Sequence, residues 1–218
     1  MNLIILILIV VLIVVCTIQW CERRIKSGDI TCGMGLRDIS RRELDKLIDK
    51  HKFSALNSWV NTPYLSQFFA GKVNGTETCI FSISTGRYCP ITLGVLLTSI
   101  NLPFPDFVIR PKSFSQEVGD MLGMRQHHAS IPASLIDKYD VSSDDDGRFV
   151  AMLTPEVVRS FLDNEGVSAE YHSGSLLITP SLISKPENFE PAVQCAHAFA
   201  DVLGMNTAKQ ESAKATGD

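Results

Sequence analysis

Val167-Ser168-Ala169-Glu170-Tyr171-His172-Ser173-Gly174-Ser175-Leu176-Leu177-Ile178-Thr179 decides the fold class. Two strand-forming runs, Val167 to His172 and Ser175 to Thr179, flank Ser173-Gly174. A two-residue loop of this type closes an antiparallel hairpin. Upstream, Thr154-Pro155 caps a helix bearing Val157, Val158, Phe161 and Leu162. Before it, Lys138 to Ser142 and Arg148 to Leu153 are expected as strands flanking the Asp144-Asp145-Asp146-Gly147 turn. Downstream, a helix from about Pro186 to Leu203 places Phe189, Ala192, Cys195, Ala196, Phe199 and Leu203 on one side, with Gly204 as its stop.

The earlier half uses the same elements. Ser40-Arg41-Arg42-Glu43 is a capping box, with Ile39 and Leu44 placed as a hydrophobic staple and Leu44, Leu47 and Ile48 as the apolar stripe. Thr62-Pro63 opens an expected second helix carrying Leu65, Phe68 and Phe69 and ending at Gly71. Cys79, Phe81 and Ile83 alternate with their neighbours, and a longer apolar run, Ile91 to Ile100, follows Pro90. These pair as antiparallel strands across Thr85-Gly86-Arg87-Tyr88. Phe107 and Ile109 mark a third strand, and Ser113 to Gly123 an expected helix. Strands and helices do not alternate regularly, so a doubly wound parallel sheet is excluded in favour of an α+β domain of antiparallel strands packed with helices.

The N-terminus has a different character. Leu3 to Val15 is uninterrupted Leu, Ile and Val, and the run continues through Trp20 before the first charge at Glu22. As a helix, Leu3 to Trp20 rises roughly 27 Å, close to a hydrocarbon core of about 30 Å. A single transmembrane helix is expected over 1–20, with Trp20 at the interface. The basic n-region and small-x-small site of a cleaved signal peptide are missing. Arg23, Arg24 and Lys26 follow the span at once, and the flanking-charge rule then places the rest of the chain in the cytoplasm. Residues 21–36 read as a juxtamembrane linker, 37–204 as the α+β domain and 205–218 as a disordered tail. The expected membrane anchor and interface set is Leu3, Val15, Trp20, Arg23, Arg24 and Lys26.

Composition narrows the function classes. The 218 residues carry a formal net charge of -4, with 45% hydrophobic and 20% charged residues, which excludes a disordered chain and disfavours sequence-independent nucleic-acid binding. Six cysteines, Cys16, Cys21, Cys32, Cys79, Cys89 and Cys195, show no zinc spacing. Cys79 and Cys89 face each other only if the hairpin carries them so, and reduced thiols are the preferred reading. Asn74-Gly75-Thr76 is a glycosylation sequon, relevant only in a secretory pathway. His127-His128 on a strand would point to opposite faces. Cys195 and His197 do not face each other on a helix. Asp144 to Gly147 lacks the downstream Glu of a calcium loop, and His172-Ser173 in a hairpin makes no triad. No catalytic, cofactor-binding or metal site is expected, and no cofactor.

Several motifs in order resemble a family. Leu102-Pro103-Phe104-Pro105-Asp106-Phe107-Val108-Ile109-Arg110-Pro111, Leu135-Ile136-Asp137-Lys138-Tyr139-Asp140-Val141, Arg148-Phe149 with Leu153-Thr154-Pro155-Glu156-Val157, and the stretch from Ala169 to Thr179 are similar to motifs of uncharacterised bacterial proteins with an N-terminal transmembrane helix and one α+β soluble domain. The departures are Leu135, where the family usually has Phe, and the acid-rich Ser142 to Asp146 turn. The resemblance implies bacterial origin and membrane anchoring, and carries over no catalytic residue.

The expectation is a single-pass protein of the bacterial inner membrane, its domain on the cytoplasmic face, binding rather than catalysing. Its partners are the lipid bilayer and a protein or small molecule, with no nucleic acid. Two alternatives stand beside it. One is a membrane-tethered enzyme whose site joins distant residues such as His127, Asp106 and Cys89. The other is an oligomeric envelope component, although the span has no Gly-x-x-x-Gly for close helix packing.

Overall fold

The computed structural model describes residues 2–51, 53, 66–84, 91–100, 105–112 and 131–215. It begins with one long helix, α1 (Asn2–Gly33). The backbone is helical straight through 21–33, where a linker was expected. Its last two turns are fixed by packing: Ser27 and Thr31 are buried, and Ile30 and Met34 lie against the core. The Thr31 hydroxyl donates to the Ser27 carbonyl at 2.8 Å, so its polar atom stays satisfied in that burial. Gly35 then takes φ +77, a left-handed conformation that glycine adopts without strain, and turns the chain into the sheet.

Eight strands form that sheet: β1 (Leu36–Asp38), β2 (Ser66–Val73), β3 (Thr76–Ile83), β4 (Thr92–Thr98), β5 (Phe107–Pro111), β6 (Tyr139–Ser143), β7 (Ser168–His172) and β8 (Ser175–Thr179). Their order is β1-β2-β3-β4-β8-β7-β5-β6, and each neighbouring pair is antiparallel. The β3–β4 pairing, β5 and the β7–β8 hairpin follow the sequence. Ser173 and Gly174 have φ 47 and 80, the double left-handed turn that a two-residue hairpin needs.

Three expectations are corrected. Residues 66–73 are strand β2, and the Phe68-Phe69 pair explains why. The two rings point to opposite faces, Phe69 onto Phe189 at 5.8 Å and Phe68 toward the other core, as consecutive side chains on a strand do. Asn74-Gly75, the core of the sequon, is the β2–β3 turn, with φ 50 and 82. Arg148 to Leu153 is not a strand. Asp145 accepts from the Arg148 backbone N–H at 3.0 Å and starts helix α4 (Asp146–Met152), after the short α3 (Ala133–Ile136). Gly204 does not end the last helix, α6 (Phe189–Ala215), which follows a 3-10 turn at Pro186–Asn188. The helix runs on through 205–215, placed in the sequence as disordered tail, because Ala, Lys, Gln and Glu there favour helix. The helix expected over Ser113 to Gly123 lies outside the described residues.

Two cores sandwich the sheet. On one face α5 (Pro155–Asp163), α6 and the end of α1 cover Ile80, Val95, Leu97, Ile109, Leu176 and Ile178. Phe161 is fully buried between Tyr139, at 5.6 Å, and Phe199, at 4.9 Å. Each such ring contributes roughly 1.5–3 kcal/mol through burial. On the other face α2 (Arg41–His51) sets Leu44 and Ile48 against Cys79, Phe81, Ile83, Leu96 and Leu177. The capping box holds: the Ser40 N–H donates to Glu43 at 2.8 Å, and the Glu43 N–H donates to the Ser40 hydroxyl at 3.3 Å.

Candidate functional site

A groove lies at the junction of α1 with β1 and β2. Cys21, Ile25, Gly28, Thr31, Cys32, Leu36, Arg37, Asp38 and Phe69 line about 580 Å³. That lies within the roughly 300–1,000 Å³ of small-molecule sites. Its walls are mainly apolar. Ile25 is 64% exposed. At Gly28 an added Cβ would have nothing within 4 Å, so the helix face opens into free space there. Beside the groove β1 approaches β2 closely, so that a Cβ on Gly71 would clash with the Gly35 carbonyl oxygen. Arg37 donates to Glu43 at 3.1 Å and stays exposed. Glu43 is held below the usual carboxylate range, first by the Ser40 backbone N–H and then by that guanidinium.

Of the anchor set, Val15 and Lys26 are exposed on α1. Leu3, Trp20, Arg23 and Arg24 belong to its backbone, and their side chains lie outside the described residues. Ile5, the residues from Leu8 to Val15, and Ile18 face outward. Among the described residues no helix is long and apolar enough to cross a membrane. The side chains of Leu3, Ile4, Leu6, Ile7 and Trp20 are not among them.

Asp106 meets a partner that sequence reasoning did not assign to it. One carboxylate oxygen lies against His172 Nδ1 and the other accepts from the Ser173 backbone N–H at 3.0 Å. This clamps the start of β5 to the β7–β8 turn. Through Nδ1 the carboxylate orients the imidazole ring. His127 and Cys89 lie outside the described residues. Next along the same sheet face, Arg110 donates to Glu170 at 3.1 Å, with the carboxylate side chain only 7% exposed.

The other chemistry-bearing residues also find structural partners. Cys79 is a free thiol, buried on the α2 face, and burial pushes it up to about 12. Cys195 is raised for the same reason. His197 sits with Nε2 3.2 Å from the Thr78 hydroxyl, and burial lowers its pKa against the opposing pull of Asp201. Asp145 serves as a helix cap. Among the described residues no group of His, Cys, Asp and Glu is arranged to hold a metal ion.

Fold and groove define an α+β domain joined end-on to an apolar helix. No family model matches the chain, and no curated protein matches it. Its fold is similar to the crystal structure of the mycobacterial trehalose monomycolate transport factor A, TtfA, with a TM-score of 0.54 at 13% sequence identity, covering 84% of this chain and 93% of that one. The likeness is one of fold.

Proposed function

We propose that the chain is a single-pass, bilayer-anchored accessory protein whose domain binds its partner at the membrane surface, on the cytoplasmic side of a bacterial inner membrane. One observation carries this reading. A single helix holds outward-facing Leu, Ile and Val from Leu8 to Val15 and, three turns later, the buried Ser27 and Thr31 of the domain. With about 0.3–0.6 kcal/mol gained per such residue in the bilayer, the thirteen from Leu3 to Val15 favour insertion by about 4–8 kcal/mol. Arg23, Arg24 and Lys26 then meet anionic headgroups. Because the connection is helical rather than a loose tether, the domain is held upright at a fixed height. TtfA is a transport factor, and an accessory role in handling a lipid or its transporter is compatible with the shared fold, though a fold by itself assigns no function.

The test uses the full-length chain in its native membranes. It is expected to stay in the pellet through an alkaline carbonate wash and to be released only by detergent. A reporter fused after Asp218 is expected to fluoresce and to show no alkaline phosphatase activity. Release by carbonate alone would overturn the anchor, and phosphatase activity would reverse the orientation.

A further inference from the structure

We infer that the groove beside α1 takes one acyl chain of a bilayer phospholipid, drawn up out of the membrane along the helix; this deepens, and rests on, the reading of α1 as an anchor. The argument begins with spacing. Val11, Val14, Ile18, Cys21, Ile25, Gly28 and Cys32 follow one another at steps of three and four, so they form one continuous stripe along α1. The lower part of that stripe lies in the apolar run. The upper part, from Cys21 to Cys32, is the helical wall of the groove, with Leu36 and Phe69 supplied by the sheet. Between Cys21 and Cys32 the stripe itself carries no charge; Glu22, Arg24 and Asp29, each three or four residues from its members, flank it, while Arg23 and Lys26 stand farther round the helix.

An acyl chain suits this surface better than a polar metabolite. The groove is open along the helix and its wall is apolar, with Ile25 left 64% exposed. Gly28, one of its lining residues, adds no side chain to that wall. The mouth is lined by Arg37, which also pairs with Glu43, and by Asp38, so a zwitterionic headgroup meets both signs of charge while its chain lies inward. The groove is also continuous with the bilayer in which the lower stripe would sit, so a lipid reaches it without leaving an apolar path.

The experiment reads the height of lipid chains along the helix. The full-length chain, with Cys16, Cys21, Cys89 and Cys195 replaced and the unreactive Cys79 kept, is labelled with bimane at Cys32. It is reconstituted in phosphatidylethanolamine–phosphatidylglycerol vesicles containing a lipid spin-labelled midway along its acyl chain. Two further probes are made by Ile18→Cys and Asp29→Cys in a background with Cys32 also replaced. Cys32 stands about 18 Å of helix rise beyond Trp20, out of reach of spin labels confined to the bilayer.

Quenching at positions 18 and 32, absent at position 29, is the expected result. Gly28→Trp fills the groove and is expected to lower the quenching at Cys32 to that of the Asp29 probe. Ile25→Glu, at an exposed position, makes the same test should the tryptophan disturb folding. Quenching at position 18 with none at 32 leaves the anchor standing and overturns the lipid groove. Equal quenching at 29 and 32 means that the domain simply lies in the bilayer, and also overturns it. A silent probe at position 18 removes the anchor itself, and the inference with it.

Discussion

The Tyr139 hydroxyl donates to the backbone carbonyl of Phe161 at 2.9 Å, tying the outer strand β6 to helix α5 across the core. Tyr139 is almost fully buried, and burial raises its pKa, with the negative charge of Glu165 adding to the rise. It therefore stays a neutral donor. Tyr139→Phe keeps the ring packing but strands a buried carbonyl. A loss of about 1–2 kcal/mol is expected, measured by urea unfolding with an unchanged slope.

Glu170 and Arg110 give an asymmetric pair of variants. The carboxylate is buried, while the guanidinium is 41% exposed. Arg110→Ala leaves a buried charge without its guanidinium partner and is expected to cost about 1–3 kcal/mol. Glu170→Gln removes the charge and keeps the shape, and is expected to cost less. Equal losses in the two unfolding curves would show that the pair contributes through packing rather than charge.

His197 makes stability depend on pH. Its folded pKa lies below its ordinary value, so between the two the unfolded chain binds the extra proton. The native state is therefore favoured fully above the unfolded value of about 6.5 and loses that advantage as pH falls through the lowered one. In His197→Gln the decline over this window is expected to be shallower. A superimposable pH profile for the two proteins would remove the imidazole from the explanation.

Gly71 holds the edge strand β1 in register on its neighbour β2. With the Gly35 carbonyl oxygen 2.2 Å from where a Cβ would stand, Gly71→Ala forces backbone apart. A loss of about 1–3 kcal/mol is expected. Hydrogen exchange should quicken first in β1 and the end of α1, since both are secured there. Uniform acceleration across the sheet would contradict that placement.

Thiol reactivity should divide the cysteines. The nucleophile is the thiolate, and at about 12 the buried Cys79 has almost none at neutral pH. Brief maleimide treatment of the folded protein, followed by peptide mapping, is expected to label Cys32, which is exposed, and to spare Cys79 until denaturant is added. Prompt labelling of Cys79 would show that α2 opens readily from its face of the sheet.

Much of this fold is legible locally. The Ser40–Glu43 box, the Thr154-Pro155 helix start, the Ser173-Gly174 turn and the β3–β4 pairing each rest on residues close in sequence. The failures have a common cause. Residues 66–73 carry apolar side chains on both faces, which blurs the period-two signal, and reading a helix there hid the Asn74-Gly75 hairpin turn. Asp145 reads equally as a turn residue and as a helix cap, and the burial of Phe149 against Phe107 at 5.5 Å decides for the helix. The Asp106–His172 pair could not be found from sequence, because sixty-six positions separate its members.

From residue order alone come the apolar N-terminal run, the antiparallel hairpins, the α+β class and the helix caps, since periodicity, turn chemistry and capping act over a few residues. Tertiary structure alone decides that β4 joins β8 through Val95 opposite Ile178, that α1 passes unbroken into the domain, and that Cys21 to Cys32 become one wall of a groove. Those outcomes depend on which distant surfaces exclude water together, and burial is a property of the assembled chain rather than of any segment in it.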